Sequence, residues 1–155
     1  MWNERRIIER LDEILKDARI KKMDEFIQHG RTTTLEHSIS VARFACFLNA
    51  KTGMRVDEEE LFLAAMLHDY FLYDWHTKGD KLHGYHHPYI AAENAAKDFG
   101  VSEFVQSMIR THMWPLNLRD IPRSRGAWIL TFSDKVISAQ ETMNGLFGPK
   151  VEIAD

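Results

Sequence analysis

Cysteine is scarce in this chain: Cys46 is the single one among 155 residues. An intrachain disulfide therefore cannot form, and a reducing cytoplasmic setting is the expectation. Proline and glycine number only 4 and 8, so collagen-like and low-complexity linker architectures are excluded, and no internal repeat is visible. No apolar run is long enough to span a bilayer. The most apolar one, residues 61–72, contains His68 and Asp69. The opening Met1-Trp2-Asn3-Glu4-Arg5-Arg6 leads into a charged amphipathic pattern rather than the apolar core of a signal peptide. Charge of one sign is missing as well, since 20 Lys+Arg face 23 Asp+Glu for a net charge of -3. That balance offers no electrostatic footprint for a nucleic-acid polymer, and neither such a polymer nor a membrane is expected as a partner.

What is present is an ordinary globular composition, 45% hydrophobic and 28% charged, at a length that suits one domain with a sizeable core. The periodicity is helical almost throughout. Ile7, Ile8, Leu11, Ile14, Leu15 and Ala18 share one face and predict a first helix over residues 4–18, with a second short helical piece at 24–28. Thr33-Thr34-Leu35-Glu36 has the form of a capping box and opens a helix that ends near Gly53. Asp57 caps the next, which reaches Tyr70 and is apolar nearly all round, so it belongs at the centre. Residues 72–84 are expected as a loop. Pro88 suits the first position of a helix that ends at Gly100; Ser102 caps another to His112, and Ser124 caps a last one to Met143, ended by Gly145, Gly148 and Pro149. No segment shows sustained strand alternation. The expectation is a single all-α domain over residues 1–155, with an N-terminal helical extension (1–30), a core (31–143) and a C-terminal tail (144–155).

Histidine is the abundant oddity, with 8 residues. His37, His68, His87 and His112, together with Asp69 and Asp134, each fall on the core-facing stripe of their own helix. Singly, any of them reads as a hydrogen-bonded core residue. A buried carboxylate or imidazole without partners costs several kcal/mol, however, and six scattered through one core would destabilise it. If they converge, a divalent metal offsets the carboxylates and satisfies the imidazoles together, as in other helical bundles with metal sites. His29, His76 and His83 fall in polar segments and are expected at the surface or in loops, with His76 and His83 as candidates for a pocket rim.

The ordered set resembles the HD-domain superfamily of metal-dependent phosphohydrolases. It comprises His37, the doublet His68-Asp69 after Ala64-Ala65-Met66-Leu67, His87-Pro88, His112 after Ile109-Arg110-Thr111, and Asp134 in Ser133-Asp134-Lys135. The resemblance covers residues 33–139 and implies an all-helical bundle around a central metal site. The six-residue set is similar to the subgroup with two ions. It implies that His37, His68, Asp69 and Asp134 hold the first and His87 and His112 the second, with Asp69 bridging; His86 is the alternative to His87. His68 and Asp69 would then also be the catalytic pair. Such sites place two ions roughly 3.5–4 Å apart, with a bridging hydroxide that attacks phosphorus. The nitrogen and oxygen donors suit Fe, Mn, Co, Ni or Zn better than Mg or Ca.

The chain departs from the family at one place. Many members carry a Gly and a substrate-contacting Lys soon after the doublet, where this chain has Tyr70-Phe71-Leu72-Tyr73-Asp74-Trp75-His76. Lys78 and Lys81 are the replacement candidates, and Trp75 and Trp114 the candidates for stacking a base or walling the pocket. The expected activity is hydrolysis of a phosphoester in a nucleotide or other small phosphorylated metabolite. The alternatives are a di-iron oxygenase of the same superfamily and a non-catalytic metal- or nucleotide-binding module.

Overall fold

The computed structural model describes residues 3–72 and 82–147. Among the described residues the chain forms seven α-helices and one small hairpin. Helix α1 spans Glu4–Ile14 and buries Ile7 and Leu11. The predicted stripe to residue 18 is interrupted because Asp17 caps a new helix, α2 (Ala18–Lys22), by accepting the Arg19 N–H at 2.8 Å. The segment expected to be a second helical piece is instead a single 3-10 turn, Met23–Glu25, followed by strand β1 (Ile27–His29). Strand β1 pairs antiparallel with β2 (Thr32–Thr33). Strands of three and two residues are too short for alternation to register in a sequence.

The predicted capping box closes in both directions. Thr33 Oγ1 accepts the Glu36 N–H at 3.2 Å, and Glu36 Oε2 accepts the Thr33 N–H at 2.9 Å. It starts α3 (Thr34–Thr52), which ends on left-handed Gly53 as expected. Asp57 Oδ1 accepts the Glu60 N–H at 2.9 Å and starts α4 (Glu58–Leu67). This helix buries Leu61, Phe62, Ala64, Ala65, Met66 and Leu67, so it is central. It packs on α3 and touches the three helices that follow. Each of its large side chains contributes about 1.5–3 kcal/mol by leaving water. It stops at Leu67, short of Tyr70, where the Tyr70 and Phe71 N–H groups turn back to the Leu67 and Asp69 carbonyls.

Helix α5 (His83–Phe99) begins more than a turn before the position predicted from Pro88, which lies inside it. Residues 82–87 coil ahead of the proline because the Leu82 carbonyl accepts the Tyr85 and His86 N–H groups. The His83 and His87 rings stack at 4.7 Å one turn apart. Ser102 caps α6 (Glu103–Thr111), and Ser124 caps α7 (Arg125–Phe147), as the sequence predicts. Helix α7 runs past the expected end at Met143, with Gly145 inside it. Gly145 serves a close approach instead of a stop: a Cβ on Gly30, which turns the hairpin at φ +58, would come within 3.4 Å of the Gly145 Cα. The hairpin tip is thereby seated on α7. The whole is an all-α bundle in which α3, α4, α6 and α7 enclose the core. Among the described residues no helix is long and apolar enough to cross a membrane.

Candidate metal centre

Five helices deliver six polar side chains to one point in this bundle. His37 sits in the first turn of α3, whose N-terminus is fixed by the capping box. His68 is the residue after α4, and Asp69 follows it into the turn. His87 projects from the second turn of α5, His112 follows α6, and Asp134 lies midway along α7. All six are buried, and His37 and His68 are fully inaccessible at 0% exposure.

The donor atoms form two groups that share one carboxylate. In the first, His37 Nε2 lies 3.2 Å from His68 Nε2 and 3.1 Å from Asp134 Oδ1, and His68 Nε2 lies 3.2 Å from Asp69 Oδ2. In the second, His87 Nε2 lies 3.1 Å from His112 Nε2 and 3.1 Å from Asp69 Oδ1. His112 Nε2 is 3.5 Å from the same oxygen. Ligand atoms held ~2.0–2.2 Å from one ion in a tetrahedral or octahedral array lie roughly 3.0–3.6 Å from each other. The observed separations have that spacing.

The protonation pattern points the same way. Each Nδ1 faces an oxygen that can only accept: Ala65 O for His68 (2.6 Å), His83 O for His87 (2.9 Å), Ile109 O for His112 (2.6 Å) and Glu141 Oε2 for His37 (2.8 Å). Each Nδ1 therefore carries its proton, and in the neutral ring each Nε2 is a lone pair aimed inward. With neutral rings, four such lone pairs would meet two carboxylates that draw side-chain hydrogen bonds from Gln28, Lys135 and Ser138 alone among the described non-histidine residues. Asp69 Oδ1 is buried and accepts no hydrogen bond despite its two imidazole neighbours. This donor set fits divalent cations.

The electrostatics record the same concentration of acceptors. Burial alone would lower His37 and His68, but the facing carboxylates outweigh it and raise them to about 9 and about 10. Burial alone would raise Asp69 and Asp134, but the surrounding imidazoles hold both well below the usual carboxylate range. Burial pushes His112 down to about 4 against the pull of Asp69.

A pocket of about 330 Å³ opens onto Asp69, His87, His112 and Asp134. Its remaining wall includes Gln28, His29, His83, Met113, Lys135 and Ser138. His83 thus lines the pocket, as its candidacy for the rim expects, but it is buried on a helix and not in a loop, while His29, expected at the surface or in a loop, lines the pocket as well. The extra turn of α5 is what carries His83 inward. His86 is exposed on the same helix while its neighbour His87 faces Asp69. Trp114 is half-buried and packs edge-on against Trp128 at 5.1 Å; it is not among the residues lining this pocket. Trp75, Lys78, Lys81 and His76 lie outside the described residues.

Periodicity alone missed four contributors. Glu141 and Ser138 lie seven and four residues beyond Asp134 on one face of α7, a spacing that a search outward from Asp134 would have found. Lys135 donates to Asp134 Oδ2 at 2.8 Å and to the His112 carbonyl at 3.0 Å, which turns its ammonium toward the site. Gln28, whose Nε2 donates to Asp69 Oδ2 at 2.6 Å, carried no signal at all.

Comparison with known proteins adds one match: residues 34–139 match the family model described as "HD domain". No curated protein and no solved structure matches the chain.

Proposed function

The chain belongs to the HD-domain family, and on that premise we propose that it is a metal-dependent phosphohydrolase acting on a nucleotide or other small phosphorylated metabolite. The observation that supports this most is the convergence of four inward Nε2 lone pairs on two carboxylates, one of which turns a different oxygen to each group. His37, His68, Asp134 and Asp69 Oδ2 would hold one ion, and His87, His112 and Asp69 Oδ1 a second. Their nitrogen and oxygen donors suit Mn, Fe, Co, Ni or Zn. Bound ions would supply Lewis-acid stabilisation of phosphoryl oxygens and lower the pKa of water at the site.

The chain's own residues do the rest. Glu141 holds the His37 ring in one tautomer, and the backbone carbonyls do so for the other three imidazoles. Lys135 is anchored by Asp134 and the His112 carbonyl with its side chain 39% exposed and lining the pocket. It is positioned to meet a phosphoryl group with charge-assisted hydrogen bonds, the part the sequence assigned to Lys78 or Lys81. His29 and His83 extend the same wall. A pocket of about 330 Å³ is at the lower end of the ligand-site range, which favours a small metabolite over a large one.

The test is metal analysis of protein purified without added metal, followed by a screen of phosphoesters with Mn²⁺, Co²⁺ or Ni²⁺. Bound transition metal and release of inorganic phosphate or a phosphomonoester are expected. Obligatory iron with oxygen uptake and no phosphoester cleavage would refute the hydrolase reading in favour of the oxygenase.

A further inference from the structure

We propose that Gln28 is a positioning residue that holds the Asp69 carboxylate in the rotation in which its two oxygens serve different ions. The inference rests on the two-ion reading above and adds to it a residue outside the segment that matches the family, residues 34–139. Gln28 sits on β1, is 7% exposed and lines the pocket. Its Nε2 donates to Asp69 Oδ2 at 2.6 Å. A carboxylate only accepts, so the NH₂ end of the amide must face Asp69 and its carbonyl end must face away. The away side is Thr34 Oγ1, 3.4 Å from Gln28 Oε1.

The two oxygens of Asp69 are thereby made unequal. Oδ2 is held by the amide on the side of His37 and His68, whose Nε2 atoms are 3.6 and 3.2 Å away. Oδ1 is left with no hydrogen bond and faces His87 and His112 at 3.1 and 3.5 Å. Without the amide, nothing else among the described contacts of Asp69 except the imidazoles themselves opposes rotation about its Cβ–Cγ bond. An amide is also the neutral donor the place requires, since a carboxylate there could not donate to Asp69 and would add negative charge beside it.

The hairpin that carries Gln28 is held from two sides. The Thr34 N–H donates to the Phe26 carbonyl at 2.7 Å, and Gly30 lies against Gly145 of α7. The amide is therefore presented from a seated element rather than a loose loop. The consequence differs between the two groups of donors. Apart from Asp69, the first keeps His37, His68 and Asp134, while the second keeps only His87 and His112. Loss of the Gln28 hydrogen bond should therefore weaken the second ion selectively, by roughly 10–100-fold, the usual effect of removing a residue that orients a ligand.

The experiment titrates metal-depleted full-length protein with Mn²⁺ or Co²⁺ by calorimetry, comparing wild type, Gln28→Met and Gln28→Asn. The methionine keeps the volume without the donor, and the asparagine keeps an amide too short to reach. The expected result is two ions in the wild type, and in both variants a first ion bound as before and a second weakened by about 10–100-fold. If Gln28→Met fails to fold, Gln28→Asn carries the test. A folded variant that binds both ions as tightly as wild type overturns the proposal, as does one that weakens both equally with a lower melting temperature. A wild type that takes up fewer than two ions refutes the two-ion reading and this proposal with it.

Discussion

Asp69→Ala tests the site at its most connected point. Asp69 presents a different oxygen to each group of donors, with Oδ2 3.2 Å from His68 Nε2 and Oδ1 3.1 Å from His87 Nε2. Its removal leaves His37, His68 and Asp134 on one side and His87 with His112 on the other. A ligand that binds only the native state stabilises it by about 2.7 kcal/mol at a hundredfold excess over Kd. Two ions would then add roughly 5 kcal/mol. At about 2–4 °C per kcal/mol for a chain of this size, the wild type should melt some 10–20 °C higher with Mn²⁺, Co²⁺ or Ni²⁺ than after chelation. In Asp69→Ala most of that increment should vanish, together with bound metal and phosphoester cleavage. The assay pairs a thermal melt, with and without metal, with elemental analysis of the same sample. Comparing each protein with its own metal-free form separates the metal effect from the cost of deleting a buried residue. Full metal content in Asp69→Ala, or a wild-type melt insensitive to saturating metal, would refute the reasoning.

The metal-free protein should lose stability as pH rises. His37 and His68 have folded pKa values of about 9 and about 10, above the unfolded value of 6.5, so their contribution is complete below pH 6.5 and disappears as pH passes through 9 to 10. Urea midpoints of chelated protein should fall by the equivalent of a few kcal/mol between pH 6.5 and 9.5, with a much flatter profile once metal is bound; a flat profile without metal would contradict the assignment. Lys135→Ala should lower kcat/KM about 10–100-fold through loss of a charge-assisted phosphoryl contact while metal content stays at the wild-type level. Loss of metal in that variant would show instead that the ammonium is needed to hold Asp134. Gly126→Ala should destabilise the fold by about 1–3 kcal/mol in spite of alanine's better helix propensity, because the new Cβ would lie 2.5 Å from Met108 Sδ and 3.1 Å from Val56 Cγ1. A raised denaturant midpoint would show that the α6–α7 contact yields more easily than its packing implies.

Local signals carried much of the architecture. The caps at Thr33, Asp57, Ser102 and Ser124 are short-range chemistry, each satisfied within three residues, and all four stand where the sequence puts them. The all-round apolar character of residues 61–67 was enough to place α4 at the centre, since no solvated face exists for it. Apart from the local cap at Asp17 that splits the first helix, two misplaced helix ends fell where other contacts override local preference. Pro88 normally opens a helix, yet α5 starts at His83, where the turn is supported by His83 stacking on His87. Gly145 normally ends one, yet α7 continues through it because Gly30 requires the space.

The sequence by itself determined that four histidines and two aspartates lie on core-facing stripes, because helical period converts spacing into direction. It also determined that so many buried polar groups need a common partner, because isolated burial is too costly. Only the tertiary structure decided how they meet. Periodicity is a property of one helix, whereas the division of Asp69 between two pairs of imidazoles depends on five helices crossing at one point. The same limit explains Gln28, His29 and Glu141. Gln28 comes from a strand of three residues with no period to read, His29 becomes a neighbour of His37 only because the hairpin folds back over the bundle, and Glu141 only because α7 packs on α3.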